Sequence, residues 1–235
     1  MKAFLLAAGY GMRLRPLTNE IPKCLLKING KPLLYLWLEL LEKEKIEEVL
    51  INSHYYTDKV EKAIMERNNR IKIKLSFEKD LLGSGGTIRD NHDFVKGEEN
   101  FFIIYADNLT NVSLTDLLRF HLSNDSIYTT YVYKTDKPTQ KGIYVFDKNT
   151  CKALEFEEKP DNPKSDLANA GIGVLNNKIF NYFDKKDFLD FGKDVLPRIV
   201  KNTYVLKTDM YLKDIGTIED YNTANIEWEK INTIK

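Results

Sequence analysis

The chain has 235 residues, 43% of them hydrophobic and 30% charged, which is enough apolar content for one sizeable core under a polar surface. Lys+Arg and Asp+Glu both number 35, so the formal net charge is zero and no global basic excess points to nucleic acid. No apolar run reaches the ~18 residues of a membrane span, and the cysteines, Cys24 and Cys151, lack C-x-x-C spacing, which suits reduced thiols in a cytoplasmic protein.

Residues 3–8 form an apolar run that stops at Gly9. Lys2 before it mimics a signal peptide, but the run is shorter than the ~7–15 apolar residues of such a segment and charges follow at once, so it reads as the first strand. Gly9 and Gly11 can take positive φ and let main-chain N–H groups approach a ligand. Arg13, Arg15 and Lys23 bring cationic donors to the same place, a combination suited to a polyphosphate. The competing reading is a plain turn with solvated arginines. Neither G-x-x-x-x-G-K-[ST] nor G-x-G-x-x-G is present, since Leu14 stands where the latter needs its third glycine.

Gly30-Lys31-Pro32 marks a helix start, and Leu33, Leu34, Leu36, Trp37, Leu40 and Leu41 recur at helical spacing through about Glu44. Residues 49–52 form a second strand, followed by His54, Tyr55 and Tyr56, with the histidine read as a hydrogen-bonded loop residue. An amphipathic helix over 58–67 and a third strand over 71–77 complete a β-α-β-α-β order, which predicts a parallel sheet with helices on both faces. Glu78 then leads to Gly83-Ser84-Gly85-Gly86-Thr87, three glycines within four residues. This is either a flexible loop or one that passes close to a ligand, with Thr87 opening a helix through Phe94. Residues 101–106 are apolar throughout and should be the buried centre of the sheet. They end in Asp107-Asn108, placing a carboxylate in the crevice where open α/β sheets bind ligands. Ser113 can cap the next helix, over 114–122, so Asp107 is not needed for that task.

From Ile127 the pattern turns to short strands: 128–133, 142–146 and 153–156. Glu157-Glu158-Lys159-Pro160 follows, which alone is a charged turn fixed by proline. Gly171-x-Gly173 reads as strand geometry. A short helix ends near Phe183, another opens near Phe191, and a hairpin-like pair is expected from 204–206 and 210–213. Asp214-Ile215-Gly216-Thr217 precedes a final helix over about 218–230, where Asp214 is either a cap or a ligand.

L-A-A-G-x-G-x-R-L-x-P-L-T at Leu6–Thr18, with Pro22-Lys23 about ten residues after its arginine, resembles the start of the sugar-phosphate nucleotidylyltransferases, the nucleoside-diphosphate-sugar pyrophosphorylases. E-K-P at 158–160 and D-I-G-T at 214–217 are similar to further motifs of that family, so the resemblance covers nearly the whole chain. It implies a Rossmann-like α/β fold with a mostly parallel central sheet and a small β-rich sugar-binding lobe. The domain is expected to be single, with a nucleotide-binding half over about 1–125 and a sugar-phosphate half with a closing helix over about 126–235. The resemblance further implies Arg13 and Lys23 as catalytic groups and a nucleotide site at Leu6, Ala8, Gly9, Gly11, Glu78, Gly83, Gly85 and Thr87. Gly142, Glu158, Lys159 and Asn169 would line the sugar-phosphate site, and Asp107 and Asp214 would hold Mg²⁺. The chain is too short to include the C-terminal left-handed β-helix or allosteric extension that relatives often carry.

The implied reaction joins an NTP to a sugar 1-phosphate and releases pyrophosphate. The A-D-N-L-T run at 106–110 is similar to relatives that activate mannose or heptose 1-phosphates with GTP. Cys24 and Lys27 depart from the family's P-K-P-L-x-P pattern, and the choice of base stays open. The alternatives are uridylyl, thymidylyl or cytidylyl transfer, the last also to phosphorylated non-sugars such as phosphocholine. A non-catalytic sensing subunit on the same fold is an alternative of another class. A nicotinamide dehydrogenase lacks support, because Asn52 stands where an acidic residue should end the second strand. The expected partners are small molecules, with no nucleic acid or membrane, and a homo-oligomer is left open.

Overall fold

The computed structural model describes residues 1–233. Strand β1 (Lys2–Leu6) is buried over Ala3, Phe4 and Leu5. After a loop with two 3-10 turns, β2 (Lys27–Ile28) and β3 (Lys31–Pro32) pair through Asn29-Gly30, both at positive φ as a two-residue hairpin turn demands. Helix α1 (Leu33–Lys43) buries Leu33, Leu34, Trp37, Leu38 and Leu41 on one face. The β4 (Glu48–Ser53), α2 (Thr57–Glu66) and β5 (Lys72–Phe77) elements follow as expected within a residue or so at each end. Next come α3 (Gly83–Asp90), β6 (Asn100–Tyr105), β7 (Asn108–Thr110) and α4 (Leu114–Leu122), whose cap Ser113 accepts from the Asp116 N–H at 3.1 Å. The remaining elements are β8 (Tyr128–Lys134), β9 (Gly142–Phe146), β10 (Ala153–Glu158), β11 (Leu167–Asn176), α5 (Leu196–Ile199), β12 (Thr203–Lys207), β13 (Leu212–Asp214) and α6 (Ile218–Thr233).

The chain groups into two units, each drawing on segments either side of residue 125. The first comprises Met1–Phe4, Leu81–Ile104 and Val112–Asp209. Its strands run in the order β10-β9-β11-β6-β1, with β8 on β11 and β12 on β8. The long β11 is antiparallel to β6, β8 and β9, while β12 is parallel to β8. Tyr128, Tyr144, Phe101, Phe102 and Phe191 are fully buried here. A Cβ on Gly173 would lie 2.3 Å from Tyr128 Cε2, so glycine in β11 makes room for that ring.

The second unit comprises Leu5–Asp80, Tyr105–Asn111 and the chain from Met210 onward. It carries the order β1-β4-β5, with β4 and β5 parallel from Glu48↔Lys72 to Ser53↔Phe77. It also holds the antiparallel β7–β13 pair. The α/β class with a mostly parallel central sheet is borne out. Among the described residues no helix is long and apolar enough to cross a membrane.

Two expectations are corrected. Residues 204–206 and 210–213 do not form a hairpin: β12 pairs with β8 in the first unit and β13 with β7 in the second, the chain changing unit between Asp209 and Met210. Helix α3 opens at Gly83 and not at Thr87, because the Leu189 carbonyl accepts from the Gly85 and Gly86 N–H groups and satisfies the first turn.

A buried polar cluster lies under α4. His121 Nε2 donates to Asn100 Oδ1 at 3.0 Å, an oxygen that also accepts from Asn176 Nδ2 at 3.1 Å. His121 Nδ1 therefore accepts from Ser126 or Thr129 hydroxyls at 2.9 and 2.8 Å, which fixes the neutral tautomer. Burial lowers this imidazole from 6.5 to about 4. Between those values the unfolded chain binds the proton and the folded chain does not, so stability is full above pH 6.5 and falls as pH drops towards 4. Denaturant unfolding across that window should lose up to about 3 kcal/mol, a slope that His121→Gln removes.

Candidate active site

The second unit gathers the predicted phosphate and metal residues. Asp107 follows β6 and Asp214 ends β13. The register Asp214↔Asn108 and a 2.9 Å hydrogen bond from the Ile215 N–H to the Asp107 carbonyl hold the two aspartates side by side. Lys23 sits in a 3-10 turn after Pro22. Its Nζ donates to Asp107 Oδ2 at 2.7 Å and lies 3.9 Å from Asp214 Oδ1, so both carboxylates converge on one cation. Lys23 is 13% exposed, against 37% for Asp107 and 24% for Asp214, which places the ammonium beneath the carboxylates as seen from solvent. Arg13 joins them: a Cβ on Gly216 would lie 3.3 Å from Arg13 Nη2 and 3.5 Å from Asp214 Oδ2.

The glycine loop has two different anchors. Gly11 stands at φ 62°, and a side chain there would meet Thr18 Cγ2 at 3.0 Å, while Thr18 Oγ1 donates to the Gly11 carbonyl at 2.8 Å. Gly9 is exposed and Ala8 buried. Just before them, the Ala7 N–H donates to Asn52 Oδ1 at 2.7 Å, and Asn52 Nδ2 donates to the buried Glu78 at 2.8 Å. In sequence Asn52 registers only as the residue standing where a dehydrogenase needs an acid, whereas its task is to tie strand ends together. The signal for it was an amide at the carboxyl end of the second parallel strand. His54 is the hydrogen-bonded loop residue expected: Nδ1 donates to the Glu78 carbonyl at 2.8 Å, leaving Nε2 to accept from Tyr10 Oη at 2.7 Å.

In the first unit the glycines of α3 serve packing. A Cβ on Gly83 would lie 2.5 Å from the Leu189 carbonyl oxygen, and one on Gly85 3.1 Å from it. Thr87 is fully buried and its hydroxyl donates to the Gly83 carbonyl at 3.1 Å.

The predicted sugar-phosphate residues also lie in this unit. Glu158 ends β10 opposite Gly142 of β9. A Cβ on Gly142 would lie 2.6 Å from Glu158 Oε2, and one on Gly192 3.1 Å from the same oxygen and 3.2 Å from Asp190 Oδ1. Two glycines thus make the space the Glu158 carboxylate occupies, and Gly192 and Asp190 are additions that sequence reading missed. Burial pushes the Glu158 carboxyl above its ordinary range, with Asp190 adding to the rise and Lys159, Lys193 and Lys141 opposing it. Lys159 is exposed at φ 53°, held by its N–H to the Lys141 carbonyl at 2.9 Å. Asn169 Oδ1 accepts from Thr130 Oγ1 at 2.8 Å and from the Gly171 N–H at 3.2 Å.

A family model described as "Nucleotidyl transferase" matches residues 2–231. A mannose-1-phosphate guanyltransferase beta-A of Xenopus laevis is 29% identical over 229 residues, covering 95% of this chain. A probable mannose-1-phosphate guanylyltransferase 1 of Oryza sativa is 30% identical over 231 residues. The chain spans 63% of the length of these two relatives. The crystal structure of HddC from Yersinia pseudotuberculosis complexed with GMP-PN is 25% identical, with a TM-score of 0.82, over 97% of this chain and 99% of that one.

Replacing Asn52 by Leu removes a partner from both the Ala7 N–H and the buried Glu78 carboxylate. Asn52→Leu should cost about 1–3 kcal/mol in denaturant unfolding, more than Asn→Leu at an exposed helix position of the same unit.

Proposed function

Since the chain belongs to the nucleotidyl transferase family, we propose that it transfers a nucleotidyl group from an NTP to a sugar 1-phosphate, giving an NDP-sugar and pyrophosphate. The favoured substrates are GTP and a mannose- or heptose-type 1-phosphate, in line with the names of the guanylyltransferase relatives and the GMP-PN complex of HddC. The observation that carries this reading is the convergence of Asp107 and Asp214 on one cation, with Arg13 beside them.

An oxygen of the sugar phosphate, already an anion, attacks the α-phosphorus. A P–O bond forms there as the bond to the bridging β-phosphate oxygen breaks, and pyrophosphate leaves with the electron pair. No base is required, so the work is positioning and charge neutralisation. Amides of the Gly9–Gly11 loop and the cations of Arg13 and Lys23 receive the triphosphate, and the same cations stabilise the departing pyrophosphate. Leu6, Ala8, Glu78, Gly83, Gly85 and Thr87 are assigned to the nucleotide. Lys159 docks the attacking phosphate, Glu158 takes sugar hydroxyls, and Gly142 and Asn169 shape that pocket.

The donor set fits Mg²⁺: both carboxylates already face a shared cation, and hard divalent ions take oxygen ligands from separate elements. Asp107 and Asp214 would hold the ion, which supplies charge neutralisation between the phosphate oxygens when bound.

Turnover is tested by crossing each NTP with a panel of sugar 1-phosphates and phosphocholine in Mg²⁺, scored by released pyrophosphate. GTP with a manno-configured acceptor should be the best pair. Pyrophosphate release from no pair would favour the non-catalytic reading. Asp107→Ala and Asp214→Ala should each abolish Mg²⁺-dependent turnover with the unfolding midpoint retained, and Lys23→Ala should cost about 3–4 kcal/mol of transition-state stabilisation. Full activity in either aspartate variant would remove the metal assignment.

A further inference from the structure

The segment after β4 makes a set of contacts that the reaction chemistry does not call for. His54 Nε2 accepts from Tyr10 Oη at 2.7 Å, and the Tyr10 ring meets those of His54 and Tyr55 edge-on at 5.1 and 5.9 Å. Tyr55 and Tyr56 both donate to the Asn19 carbonyl, at 3.2 and 2.7 Å. Lys59 lies 4.5 Å over the Tyr56 ring and donates to the Glu20 carbonyl. Residues 54–59 therefore grip the glycine–arginine loop near its start, at Tyr10, and at its end, at Asn19 and Glu20. The loop between these grips carries Gly11, Arg13 and Arg15.

The grip also has a cost in backbone conformation. Tyr56, the N-cap of α2, stands at φ 52° and ψ 48°, the left-handed region where a bulky residue is strained. The residue in that conformation and its predecessor both place a hydroxyl on the Asn19 carbonyl. On the other side, the Ala7 N–H reaches the Glu78 side chain through Asn52, and Tyr10 reaches the Glu78 carbonyl through His54. Residues 7 and 10 are thus both referred to Glu78, and Ala8 and Gly9 are suspended between them.

We propose that His54, with Tyr55 and Tyr56, is a positioning group for the triphosphate, holding the Gly9–Gly11 amides and Arg13 in the geometry that grips phosphate. This rests on the reading of that loop as the NTP site. The three residues act through their hydrogen bonds to the loop, at Tyr10 and Asn19. Their effect is on how much ordering the loop must undergo when the nucleotide binds.

The test uses the full chain and two probes, inorganic tripolyphosphate for the loop alone and GTP for the whole site. Tyr10→Phe deletes one hydroxyl and should weaken tripolyphosphate binding about three- to tenfold in calorimetry. His54→Phe should weaken it at least as much, and the double variant no more than His54→Phe alone, because both break the same link. In steady state the KM for GTP should rise by a similar factor while the KM for the sugar 1-phosphate and the unfolding midpoint hold. Tripolyphosphate binding equal in wild type and Tyr10→Phe overturns the proposal, as does a wild type that binds none. A fall in both KM selectivity and unfolding midpoint would make the role merely structural and overturn it too. A wild type that grips tripolyphosphate in this His54-dependent way but releases no pyrophosphate would leave the inference standing and fell the proposed reaction.

Discussion

Asp107 and Asp214 are fixed side by side by main-chain hydrogen bonds, so the repulsion between their carboxylates cannot be relieved by moving the backbone apart. Like charges held in one place favour a shared counter-charge. A cation must therefore sit against the pair, and in this structure it is the Lys23 ammonium. The site is built as a socket for positive charge, and the rest of the local sequence serves that need. Pro22 precedes the 3-10 turn that presents Lys23, a Cβ on Gly216 would crowd both the Arg13 guanidinium and the Asp214 carboxylate, and β7 and β13 form a three-residue pair that sets Asp214 beside Asp107.

The chemistry of the two units is divided accordingly. The charged groups proposed to receive phosphate and metal are collected in the second unit, where Arg13, Lys23, Asp107 and Asp214 balance to no net charge. The first unit offers a half-buried carboxylate, Glu158, walled by two glycines and neighboured by lysines. The exposed Lys159 ammonium lies 3.8 Å from that carboxylate. Each unit is assembled from stretches far apart in the chain.

Periodicity and apolar runs made α1, β4, α2, β5 and α4 readable almost to the residue: the helices turn one face inward and β4 is an apolar run buried almost throughout. The misreadings arose where a distant segment supplied the deciding hydrogen bond. The start of α3 depends on the Leu189 carbonyl, about a hundred residues away, and no local propensity foretells it. The apparent hairpin near 208 failed for a related reason: Thr203–Lys207 found a better partner in β8, where Val205 is buried and the Thr208 N–H continues the ladder to Val132. For the candidate site, charged residues following glycines were legible. Asn52, Asp190 and Gly192 were not, because their significance lies in what faces them across the fold.

Glycine shows most clearly why a motif can be right in total and ambiguous in its parts. Gly11 is needed for its backbone, standing at φ 62°, whereas Gly142 has ordinary backbone and is needed for the volume that Glu158 and Phe156 take up. Gly85 is different again, a helical residue on which the Leu189 main chain rests. After Gly9 and Gly11 come Arg13 and Arg15, side chains that packing cannot use and an anion can. After Gly85 and Gly86 come Thr87 and Ile88, both fully buried, which a helix packing into its own unit requires. Similar glycine spacings thus serve a left-handed turn at Gly11 and close contact between segments at Gly83 and Gly85.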